Sequence, residues 1–384
     1  MTDFFRSIVK SIRNVFIFMF SFTQLILPGV QKTMKGGENA FFEQWSAESQ
    51  YKEDYAYTLE KKPNKDFVIL NITDIQMIDN ELNNGTGSIA KGTIDKLVAD
   101  TKPDLITVTG DNAWETFAYI QTANLIDSYG IPWAPVMGNH DGEGCPSEFW
   151  CAKVLDNCKN CLFKFGPEGM GYGNYIINIK ENDKIIHTLF MMDSHNSIKE
   201  DNNVNGPKDS GYDHFWPEQL KWYEWAVNGI KELAGKTVQS TVFMHIPVVE
   251  YKDAWDMIYD SENDKIKDEY KDTAYGVNHE GVCCAAENNG FFDLCKKLGS
   301  TKDMVCGHDH NNNYSAVYQG IRLTFALKTG SGCYWEEELN GGTVIKINSD
   351  GQTNISHMYV DYTNLSVAKM PIYTKHTIPI IVFR

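Results

Sequence analysis

Asp104-Leu-Ile-Thr-Val-Thr-Gly-Asp-Asn112 is a short run of β-formers that stops at Gly110 and turns at once to Asp111 and Asn112. β-branched and apolar residues bounded by Gly and Asp read as a strand followed by a tight turn. The arrangement recurs outward in both directions. Upstream, Phe67-Val-Ile-Leu-Asn-Ile-Thr73 runs into Asp74-Ile-Gln76. Downstream, Pro135-Val-Met137 ends in Gly138-Asn139-His140-Asp141, and Thr241-Val-Phe-Met244 ends at His245. Asp303-Met-Val-Cys306 then ends in Gly307-His308-Asp309-His310. Lys184 to Met192 is a longer apolar strand that reaches Asp193, and Ile321-Arg-Leu-Thr-Phe325 and Gly342-Thr-Val-Ile-Lys-Ile347 extend the sheet pattern. Between them, Ile94, Leu97 and Val98 share one helical face. Trp216-Pro217 opens a helix through about Leu233, since proline suits a first helical turn. Strands alternating with helices predict an α/β layered domain. Ligands of open α/β sheets bind beyond the carboxyl ends of the strands, so five such ends in one sheet would aim their polar residues into one crevice.

The bulk composition fits that reading. The chain has 384 residues, 42% hydrophobic and 22% charged, enough for a sizeable core and against global disorder. A net charge of −16 repels a nucleic-acid backbone, so no nucleic-acid binding is expected. A small anionic substrate stays admissible where bound cations dominate the local field. Of the nine cysteines, Cys158 and Cys161 have zinc-knuckle spacing without a second half-site, which favours plain thiols or a local disulfide over structural zinc.

Taken singly, each polar cluster has a bland reading: a histidine after a strand caps it or packs inside, and Asp-Asn pairs form turns. Gly-Asn-His-Asp and Gly-His-Asp-His in one chain, in this order, favour a functional reading. Carboxylate, amide oxygen and imidazole together suit borderline to hard divalent metals. A carboxylate between two such ions bridges them, and ions about 3.5–4 Å apart clamp a phosphate and generate hydroxide at neutral pH.

On these motifs the chain, from about residue 66 to 348, resembles the calcineurin-like metallophosphoesterase superfamily, in its purple-acid-phosphatase-related subgroup. The resemblance implies a four-layer αββα sandwich with two mixed central β-sheets and a dimetal site at the C-terminal strand ends. It implies that Asp74, Asp111 and His310 bind one metal. Asp111 then bridges to a second held by Asn139, His245 and His308. His140 would face the phosphate or the leaving oxygen, with Asp141 orienting its ring. Asn112 and His214 are candidate substrate contacts, and His195 and Trp216 candidate pocket walls; His187, His279, His357 and His376 read as structural. The expected activity is hydrolysis of a phosphoester, foremost a monoester, by hydroxide generated at the metals. The alternatives are a phosphodiesterase or nucleotidase, and a non-catalytic scaffold. The cofactors are two divalent ions among Mn, Fe, Zn and Mg.

Two departures from the family pattern stand out. Gln76 occupies the place of a ligating histidine, as a weak ligand through its neutral oxygen or a hydrogen bonder to metal-held water. Trp114 occupies the place of the purple enzymes' tyrosine, so the tyrosinate-to-iron colour is not expected.

The flanks are harder to place. Arg6, Lys10 and Arg13 precede an apolar run from Val15 to Leu27, so residues 1–30 read as a signal, an anchor or a surface helix. Membrane association or export and a cytoplasmic location are both compatible with that segment. Residues 31–65 read as a linker or N-terminal arm, and 349–384 as a C-terminal extension.

Overall fold

The computed structural model describes residues 38–82, 85–197 and 211–365. The N-terminal segment 1–30 and His376 lie outside the described residues. Among the described residues, no helix is long and apolar enough to cross a membrane.

The chain forms β1 (Tyr57–Glu60), β2 (Phe67–Ile72), α1 (Gly85–Thr101), β3 (Leu105–Thr109), α2 (Thr116–Ser128), β4 (Trp133–Val136) and α3 (Glu148–Asp156). The hairpin β5 (Tyr175–Glu181) and β6 (Lys184–Met191) follows, then α4 (Pro217–Ala234), β7 (Gln239–Phe243) and α5 (Glu250–Ile258). After a two-stranded ribbon, β8 (Tyr259–Asp260) with β9 (Lys265–Ile266), come α6 (Phe291–Leu298), β10 (Thr301–Cys306), β11 (Ser315–Tyr318) and β12 (Ile321–Phe325). The last strands are β13 (Gly341–Ile347) and β14 (Thr353–Tyr359).

Two mixed sheets result: a seven-stranded one ordered β1-β5-β6-β7-β10-β12-β11 and a five-stranded one ordered β14-β13-β2-β3-β4. The seven-stranded sheet is buried on both faces, and the two-residue period of a strand shows it. Ile177, Leu189, Met191, Phe243 and Val305 enter the core shared with the five-stranded sheet and α1 to α3. Their neighbours Ile176, Phe190, Val242 and Met304 enter a second core beneath α4, α5 and α6. The layers are therefore helix, sheet, sheet, helix, the four-layer α/β sandwich expected from the sequence.

Two features differ from the expectation. Tyr57–Glu60, inside the stretch read as an arm, pairs parallel with β5, and Thr353–Tyr359, inside the stretch read as an extension, pairs antiparallel with β13. The five polar strand ends also do not share one sheet. Those of β2, β3 and β4 belong to the five-stranded sheet, and those of β7 and β10 to the other. The crevice lies where the two sheets meet.

Candidate metal centre

The parallel neighbours β2, β3 and β4 carry Asp74, Asp111 and Asn139 just past their last residues, and β7 and β10 deliver His245, His308 and His310 from the opposite sheet. The turns are tight. Asp74, Gln76, Asp111 and His308 all hold left-handed backbone, with φ of 51°, 48°, 53° and 82°. Non-glycine residues there cost of order 1–3 kcal/mol each and persist where the surroundings enforce them. Two glycines of the motifs make room. A Cβ on Gly138 would collide with the Asp111 carboxylate, and one on Gly307 with Thr73 and the Asp74 carboxylate.

Ligand atoms of Asp74, Asp111 and His310 lie within 4.8 Å of one another, and all three side chains are buried. His310 Nδ1 donates to the Tyr334 carbonyl at 2.9 Å, which leaves Nε2 facing Asp74 Oδ1 at 3.5 Å. His245 is arranged alike. Its Nδ1 donates to the Thr109 carbonyl at 2.7 Å, and Nε2 stands 3.4 Å from Asp111 Oδ1, 2.9 Å from Asn139 Oδ1 and 3.3 Å from His308 Nδ1. A carbonyl only accepts, so in both rings Nδ1 carries a proton and Nε2 is the nitrogen turned inward. Metal-ligating histidines are held this way.

The electrostatics point to a cation. Burial alone would raise the Asp74 pKa, but His310 and His245 outweigh it and hold the group at about 2. Asp111 is likewise held far below the usual carboxylate range, burial being overcome by His245. Burial works against protonation of His245, yet Asp111 raises it to about 10, while burial and then the charge of His245 push His308 down to about 3. His308 Nε2 is buried with no hydrogen-bond partner. A buried polar atom left unsatisfied is costly. Paired anionic carboxylates, inward imidazole nitrogens and an orphaned nitrogen fit divalent metal.

Gln76 does not fit as a ligand. Its Nε2 donates to Asp111 Oδ2 at 2.9 Å, and its Oε1 accepts from Lys328 Nζ at 3.3 Å. The amide therefore turns its nitrogen, which cannot ligate, toward the carboxylates. Lys328, buried, also donates to the Asp74 carbonyl at 2.5 Å; burial lowers its ammonium pKa to about 8, with Asp74 and Asp111 opposing.

Asp141 also differs from expectation. Its carboxylate accepts from Asn112 N at 2.7 Å, Asn112 Nδ2 at 3.1 Å and Gly138 N at 2.9 Å, so it ties the β3 and β4 turns together and does not touch the His140 ring. Glu143 takes that place, with Oε2 3.0 Å from His140 Nδ1. Trp114 stacks on the His140 ring at 4.3 Å, and the His140 backbone N–H donates to Asp111 Oδ1 at 2.9 Å. Asn112 is buried and held by Asp141.

His214 lines a small cavity with Ser194, Phe215 and Ile246, beside the β7 end. His195 stacks on Trp216 at 3.9 Å and bonds Gln219 Oε1 at 2.6 Å, so the two rings pack on each other at the start of α4. His187 is buried and His357 half-buried, each bonded to inner partners, and His279 pairs with Glu336 at the surface. The nine cysteines are all free thiols.

Sequence reasoning missed Lys328, Glu143, Tyr212, which meets His308 edge-on at 4.6 Å, and Tyr334, stacked on His310 at 4.1 Å. Lys328 carries one local signal, as a single charge after the apolar stretch 325–327.

A family model described as calcineurin-like phosphoesterase matches residues 67–312. "Probable inactive purple acid phosphatase 14" of Arabidopsis thaliana is 27% identical over 266 residues, covering 62% of this chain and 61% of that protein. "Phosphatase DCR2" of Saccharomyces cerevisiae is 31% identical over 229 residues, covering 56% of this chain and 37% of that protein. The chain thus spans less than two thirds of the length of these relatives. Among solved structures, a dimetal phosphatase from Danio rerio aligns with a TM-score of 0.47 at 11% identity, over 77% of this chain and 96% of that one.

Proposed function

Because the chain belongs to the calcineurin-like phosphoesterase family, we propose that it hydrolyses a phosphate monoester at a two-metal centre. One observation carries this reading: Asp74, Asp111 and His310 converge from two sheets with their ligand atoms together and buried. Asp74, Asp111 and His310 would hold one ion, and Asp111, Asn139, His245 and His308 the other. Bound there, the ions supply Lewis acidity toward the phosphoryl oxygens and a nucleophile at neutral pH.

The chain's own residues do the rest. Asp111 sits between the two ligand groups and is fixed by the His140 backbone N–H and the Gln76 amide. His140, part-exposed at the lip of the centre, is the proton donor to the leaving oxygen, with the Glu143 carboxylate 3.0 Å from Nδ1. Trp114 fixes the ring plane from one side.

A second reading is a non-catalytic scaffold that keeps the fold. It is favoured by the amide nitrogen of Gln76 standing where the family presents an imidazole, and relatives whose names include the word inactive bear on it too. Phosphate release from a monoester, a diester and a nucleotide panel, each with added Mn or Zn, separates these readings. Release from the monoester alone supports the phosphatase. Release from the diester moves the activity to a phosphodiesterase. Stoichiometric metal binding with no release from any substrate supports the scaffold.

A further inference from the structure

Lys328 is a charged feature of the centre for which neither the metal ligands nor the proton donor provides a use. It follows β12 on a buried stretch and is 2% exposed, among the least exposed charged residues of the chain. A buried ammonium persists where it is paired and hydrogen-bonded. Here its bonds go to the Asp74 carbonyl and to Gln76 Oε1, and the charges nearest it are those of Asp74 and Asp111.

Those bonds fix Gln76. An ammonium only donates and an ionised carboxylate only accepts, so an amide held between Lys328 and Asp111 has a single satisfied orientation, oxygen to lysine and nitrogen to aspartate. We infer that Lys328 is a positioning residue that withholds the Gln76 oxygen from the metal and sets a fixed positive charge beside the Asp74–Asp111–His310 site. The inference rests on the two-metal reading above.

Two consequences follow. The first site has three protein ligands and an ammonium as neighbour, so it binds its ion more weakly than the second. Restoring a histidine at position 76 is not sufficient to strengthen it, because the new imidazole stands against Lys328. The two positions are coupled, and their substitutions are non-additive.

The test is calorimetric titration of the metal-stripped full chain with Zn²⁺ or Mn²⁺ alone, with no substrate present. Wild type is expected to show two binding steps. Lys328→Met is expected to tighten the weaker step about tenfold or more, since a nearby like charge is removed. Gln76→His alone is expected to leave that step within about threefold of wild type, and Lys328→Met with Gln76→His to exceed the sum of the two single effects. Gln76→Leu, which leaves Lys328 in place, guards against a Lys328 variant that does not fold. It is expected to keep the weaker step within about threefold, because no ligand is lost.

The inference is overturned if folded Lys328→Met binds as wild type does. It is equally overturned if Gln76→Leu abolishes a binding step as His310→Ala does, for Gln76 would then be a ligand. Absence of any binding by wild type sinks the two-metal reading itself, which is a separate outcome.

Discussion

In the mechanism proposed above, His140 separates the holding of metal from the movement of protons. Its tie to the bridging carboxylate runs through the backbone N–H, which an alanine keeps, whereas its ring lies between Trp114 and Glu143 outside the ligand set. His140→Ala is therefore expected to lower turnover by about 10²–10⁴-fold while the metal content of the purified protein is unchanged. Loss of metal in that variant, by elemental analysis, would remove the proton-donor role. Asp111→Ala is expected to do the reverse and empty both sites, because each ligand group loses its shared member. An Asp111→Ala protein that still binds one ion at wild-type affinity would show that the carboxylate does not bridge.

At the level of elements, what can be read from sequence depends on how local the cause is. Asp74, Asp111, Asn139, His245, His308 and His310 are legible because each follows an apolar strand within a few positions, and Gly110, Gly138 and Gly307 are needed where they stand. Helix α2 is not legible: Ala118 through Asp127 is buried without interruption, so no one-sided 3.6-residue pattern exists. β14 escapes because a half-exposed outer strand carries Thr, Asn, Ser and His. The orientation of Gln76 is set by Lys328, some 250 residues away, and no local pattern encodes it.

β14 and the β13–β14 turn also explain a pH dependence. His187 Nδ1 donates to Gly351 O at 2.8 Å while Nε2 meets the Thr241 hydroxyl at 2.9 Å; His357 bonds Asn313 O at 2.6 Å and the Thr343 hydroxyl at 3.1 Å. Burial lowers both rings from 6.5 to about 4. Below pH 6.5 the unfolded chain takes up protons that the folded rings refuse, so stability falls from there toward pH 4 and is unaffected by these rings above it. Each ring contributes a slope of up to about 1.4 kcal/mol per pH unit within that window. Denaturant unfolding at several pH values should show His187→Gln with a shallower slope; an unchanged slope would mean that His187 titrates normally.

At the scale of the whole molecule, the centre joins the two sheets, which otherwise meet through apolar side chains such as Ile177, Leu189, Phe243 and Val305. Ions that bind the folded chain and not the unfolded one stabilise it by mass action, about 2.7 kcal/mol when free metal is 100 times its dissociation constant. Thermal unfolding is thus expected to move upward with added Mn²⁺ or Zn²⁺ and to fall on chelation, as a single transition. A melt in which metal shifts only one of two resolved transitions would show that the sheets unfold independently.

That the ligands come from Asp74 at one end of the domain and from His310 near the other has a consequence for biosynthesis. The carboxylates emerge from the ribosome long before the imidazoles of β7 and β10 do. A nascent chain is therefore blind to metal for most of its elongation and becomes competent only after Gly307 has cleared the exit tunnel. Ribosome-stalled chains ending before β10 should retain no radioactive zinc on washing, and chains extended through β14 should retain it.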